Sequence, residues 1–117
     1  MTTRQPTPNV TRADVERIAQ RDYPPEHAET VLKIVQRYTN VERTRVQLAV
    51  LKLAAGDVDA VHHHIEVALR DYRDVLCGAE YPAFTEKWLH SEPIAADERK
   101  RLVDADWTQY QDWLLRT

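Results

Sequence analysis

The side chains best suited to chemistry lie in one stretch, Val61 to Asp74, reading VHHHIEVALRDYRD. Histidine is the commonest metal ligand and titrates near neutrality. Consecutive residues on a helix differ by about 100° around the axis. His62, His63 and His64 therefore diverge: the first and third flank an apolar stripe, and His63 points away from it. The pairs His62–Glu66 and Asp59–His63 are better placed, each at i, i+4. Either supplies two ligands, where a structural zinc site takes about four. Only His27 and His90 remain as histidine donors, and no motif places them nearby. The expectation is no metal site and no cofactor. Were the chain a metal-dependent or acid–base enzyme, His62, His63, Glu66 and Asp59 would be the residues to carry it.

Other polar residues read as positioning groups. Asp106 falls between Tyr110 and Trp113 on a helical wheel, inside an apolar arc, so it needs an arginine, lysine or tyrosine hydroxyl as partner. Arg73 and Glu80 lie on a polar seam with His62 and Glu66, where they would pair with another helix and set its register. Trp88, Trp107, Tyr110 and Trp113 crowd the last third of the chain. A chain of 117 residues is short for hiding three tryptophans. Aromatics are enriched in interface cores, which points to a homodimer through the Trp107–Trp113 face. Cys77 has no base placed by motif to activate it.

Several function classes lack their signatures. There is no glycine-rich phosphate loop, dinucleotide fingerprint or H-E-x-x-H, and the two glycines, Gly56 and Gly78, stand alone. A net charge of −3 gives no electrostatic drive toward phosphate backbones. A nucleic-acid reading would rest on Arg12, Arg17, Arg21 and Arg37. One cysteine excludes an internal disulfide and suits a reducing cytoplasm. The N-terminus lacks a signal-peptide core, and no apolar run approaches membrane-spanning length.

The elements that must hold these residues are helices. Glycine scarcity argues against the many tight turns of an all-β chain. Residues 1–10, polar with Pro6 and Pro8, read as a flexible arm. Residues 11–117 read as one all-α domain, a bundle of four to five helices. A first helix starts after Thr11 and stops before Pro24. Ala28, Val31, Leu32, Val35 and Tyr38 give the next an apolar face. Thr39 and Glu42 form a T-x-x-E capping signature, so residues 25–55 are either one bent helix or two. The centre is a tight antiparallel hairpin of about 42–55 and 58–80. Its first arm is apolar nearly all round, with Arg45 and Lys52 on a narrow exposed strip. Gly56 ends that arm and Asp57 caps the next. Val58, Val61, Ile65, Ala68, Tyr72, Val75 and Ala79 then repeat at bundle spacing. Phe84, Trp88 and Leu89 suggest a short apolar helix on the bundle end. The last helix spans about Ala96 to Leu115.

VQLAVLKLAAGD (46–57), RDYRDVLCGAEYP (70–82) and ADWTQYQDWL (105–114) together resemble a group of short bacterial proteins described as hypothetical. The resemblance covers about residues 42–116 and departs at Cys77-Gly78, where that group carries bulkier residues. It implies a bacterial, all-helical protein and transfers no catalytic residue. The functional expectation is a small helical interaction or regulatory module that pairs with itself or with another protein. The metal-dependent enzyme is the first alternative and the nucleic-acid binder the second.

Overall fold

The computed structural model describes residues 6–90 and 93–117. Among them are seven helices and no strand: α1 (Arg12–Asp22), α2 (Pro25–Val35), α3 (Arg43–Ala54), α4 (Val58–Arg70), α5 (Tyr72–Glu80), α6 (Pro82–His90) and α7 (Ala96–Leu115). The all-α expectation holds. The count of four to five does not: residues 25–55, readable as one helix or two, form two, and the expected 58–80 helix is broken.

The first break separates α2 from α3. Tyr38 closes the connection by donating its hydroxyl to the Val41 carbonyl at 2.6 Å, and Gln47 donates to the Tyr38 carbonyl at 2.9 Å. The T-x-x-E signature does not cap α3. Glu42 sits in the left-handed region at φ 56°, and its carboxylate turns to Arg45 at 3.1 Å instead.

The second break interrupts the long arm at Asp71. This residue is extended, ends α4 with its own N–H on the Val67 carbonyl, and starts α5 by accepting the Arg73 N–H. One extended residue redirects the axis while the apolar stripe continues on both sides. Periodicity therefore conceals the break.

Helix α3 is the central element. Val46, Gln47, Leu48, Ala49, Val50, Leu51 and Ala54 are all buried, and α1, α4 and α5 pack around it. Full burial of a side chain such as Leu48 or Leu51 contributes about 1.5–3 kcal/mol. The turn after α3 uses two left-handed residues, Ala55 (φ 50°) and Gly56 (φ 87°). Asp57 then caps α4 through the Asp59 and Ala60 N–H groups. Arg45 does not lie on an exposed strip. Its side chain is 18% exposed and ion-paired.

Ahead of α1, Pro8 is buried and the Tyr81 hydroxyl donates to the Pro6 carbonyl. At the other end, Arg21 of α1 clasps the end of α7. It donates to the carbonyls of Trp113 (2.6 Å) and Arg116 (2.8 Å) while paired with Asp22. No helix among the described residues is long and apolar enough to cross a membrane.

Candidate interaction surface

The structure does not bring the histidine cluster together. His62 and His63 are exposed, and the His64 imidazole is half-buried, its pKa lowered by burial and by His63. Glu66 is held by Arg37 of α2 at 2.9 Å, and Asp59 lies exposed in the first turn of α4. Among the described residues no three histidine, cysteine or carboxylate side chains converge on one point. The four arginines of the nucleic-acid reading are each engaged by a carboxylate: Arg12 by Glu16, Arg17 by Asp14, Arg21 by Asp22 and Arg37 by Glu66. A cleft between α1, α2 and the start of α3 has a volume of about 280 Å³ and is lined by Arg12, Glu16, Leu32, Gln36, Arg43 and Gln47. Cys77 is exposed on α5.

Glu80 does what the polar seam required, and Arg73 does not. The Glu80 carboxylate is 2% exposed and takes a two-pronged bond from Arg45 of α3, at 2.7 and 3.1 Å. Burial pushes its pKa above the usual carboxylate range, against the pull of Arg45. Arg73 is exposed and reaches only Asp71, two residues back on its own segment. It joins no second helix because α5 turns that side to solvent.

Asp106 is buried, as the wheel required, at 1% exposure. Its partners are not side chains. Oδ1 accepts the Ala83 N–H at 3.0 Å and Oδ2 the Phe84 N–H at 2.9 Å. A residue of α7 therefore caps the start of α6 (a helix remote in sequence). One turn on, Gln109 donates to the Ala79 carbonyl at 3.3 Å, near the end of α5. Asp106 and Gln109 thus grip both sides of the α5–α6 break at Tyr81.

The aromatic face of α7 is largely covered by its own chain. Tyr110 is fully buried, and burial pushes its phenol well above the ordinary range. Trp113 is buried beside Tyr110, with Arg21 over its ring at 5.4 Å. Trp107 is half-buried. Arg21 of α1 therefore covers the Trp113 end of this face, while Trp107 keeps part of its surface open. The exposed aromatic is on α6: Trp88 is 65% and Leu89 61% exposed. None of the described side chains of α6 is buried, so Trp88 and Leu89 do not pack on the bundle end. Their exposure was hidden in the sequence because an apolar triplet of Phe84, Trp88 and Leu89 reads the same whether it faces a core or water.

Compared with known protein families, curated proteins and solved structures, the chain matches none.

Proposed function

We propose that this protein is a small cytoplasmic interaction module that pairs with a second copy of itself through α6. The observation that carries the reading is Trp88 beside Leu89, both mostly exposed on a helix none of whose residues is fully buried. Tryptophan is the residue most enriched at interface hot spots. Along α6 and the first half of α7, Glu86, Asp97, Glu98 and Asp104 are matched one for one by Lys87, Arg99, Lys100 and Arg101 among the described residues. Two copies of such a surface meet without net repulsion, which supports an isologous pair. The lone exposed thiol of Cys77 supports a reducing compartment. The resemblance to short bacterial helical proteins supports a bacterial setting.

Sedimentation of the wild-type chain and of Trp88→Ser/Leu89→Ser tests the reading. The expected result is a concentration-dependent dimer for the wild type and a monomer for the variant, with matching melting curves. A wild-type chain that stays monomeric to high concentration removes the self-pairing and leaves the face to a different protein.

A further inference from the structure

Apolar burial gives α6 little reason to stay docked. A nine-residue helix does not persist alone in water. Trp88 and Leu89 face solvent, and Phe84 is half-buried under the Arg99 guanidinium at 5.1 Å. The Lys87–Glu98 pair at 3.3 Å joins two partly exposed side chains and contributes little. What remains is the N-terminus of the helix, where the donors can be counted in full. Pro82 has no N–H. Ala83 and Phe84 give theirs to Asp106, and Thr85 begins the internal ladder on the Tyr81 carbonyl. Bonds to an ionised acceptor are about twice as strong as neutral ones. Water does not compete at a carboxylate this deeply buried.

We infer that α6 is a latched flap. Its docked state depends on the Asp106 carboxylate rather than on apolar burial, and the latch fixes the orientation in which Trp88 and Leu89 meet a second copy of the chain. Asp106 is a positioning residue: it touches no partner and acts through the first turn of α6. When the flap opens, water reaches the carboxylate, so the open state strands no buried charge. The presentation to a second copy rests on the dimer reading above; the latch does not.

Hydrogen–deuterium exchange of the full chain, read peptide by peptide at a dilution where it is monomeric, tests the latch. In the wild type, α6 amides exchange about a hundredfold or more faster than those of α3. Asp106→Asn keeps the side chain's size but replaces one acceptor oxygen with a donor. It accelerates α6 by about a further tenfold and leaves α3 and α4 unchanged. Trp88→Ala leaves α6 protection where it was. Wild-type α6 amides as protected as those of α3 overturn the proposal, and that measurement needs no variant. So does equal loosening of α3, α4 and α6 by Asp106→Asn, which makes Asp106 a general core residue. Loosening of α6 by Trp88→Ala to the same degree also overturns it. Because the sample is monomeric, failed self-pairing leaves this result intact, while a dimer with an unaltered α6 in Asp106→Asn sinks the latch alone.

Discussion

Glu80 and Arg45 form a buried pair whose two-pronged geometry joins α3 to α5. Desolvation opposes the Glu80 charge and Arg45 supports it, with a net pKa above the ordinary 4.5. From 4.5 up to that raised value, the folded chain keeps a proton that the unfolded chain has released. Stability therefore declines as pH rises through this window and levels off above it. Arg45→Met removes the lowering influence, so the window widens and the loss deepens. At neutral pH we expect a cost of about 3–5 kcal/mol for the uncompensated carboxylate, partly recovered on acidification toward pH 4.5. Urea midpoints across a pH series check this, and parallel wild-type and variant profiles would count against it. Asp106 shows how far such residues are legible in sequence. Its burial and its need for partners follow from its place between Tyr110 and Trp113. Its partners do not, because backbone N–H groups carry no residue signature, and nothing in the sequence reveals which helix end crosses a given turn.

At the scale of elements, helix starts are legible where a side chain or a proline does the work. Thr11 with Asp14, Pro25 and Asp57 all open helices as their types require. The sequence leaves the break before α3 open between one bent helix and two, and the break at Asp71 is not legible in it. At the first, the T-x-x-E spacing marks the place but not the geometry, which turns on a left-handed non-glycine residue that no propensity favours. The second leaves the apolar stripe intact, so periodicity read residues 58–80 as one helix. Asp71 should then matter through its cap. Asp71→Ala removes the acceptor of the Arg73 N–H at 3.1 Å and should lower Tm measurably, as loss of a helix cap does. Arg73→Ala, which breaks only the exposed pair with Asp71, should leave Tm close to the wild-type value. Thermal denaturation of the two variants side by side separates them. Equal losses would mean that the ion pair, not the cap, holds the start of α5.

The whole molecule divides unevenly. Helices α1 to α5 and α7 from Val103 onward supply most of the buried side chains, while α6 and the first two turns of α7, Ala96–Leu102, bury none among the described residues. Helix α7 therefore belongs to both parts, and its attachment to the core decides whether they act as one body. Besides its contacts with α5, that attachment includes a clasp at its far end. The last carbonyls of a helix have no partner within it and carry the negative end of its dipole. Arg21 meets both needs, bonding the Trp113 and Arg116 carbonyls across separations of 92 and 95 residues while lying over the Trp113 ring. Asp22 holds the guanidinium in place at 2.7 Å. Arg21→Gln keeps one donor group and loses the charge, the planar fork and the ring contact. We expect a loss of about 2–3 kcal/mol, from two hydrogen bonds to a charged donor in a partly buried setting. The readout is intrinsic fluorescence in urea. Trp113 should redden at lower denaturant than the helical signal falls, because the end of α7 frees itself before α3 and α4 unfold. Coincident transitions at the wild-type midpoint would show that the clasp is dispensable, and that the packing of Tyr110 and Leu114 with the Asp106 and Gln109 bonds holds α7 without it.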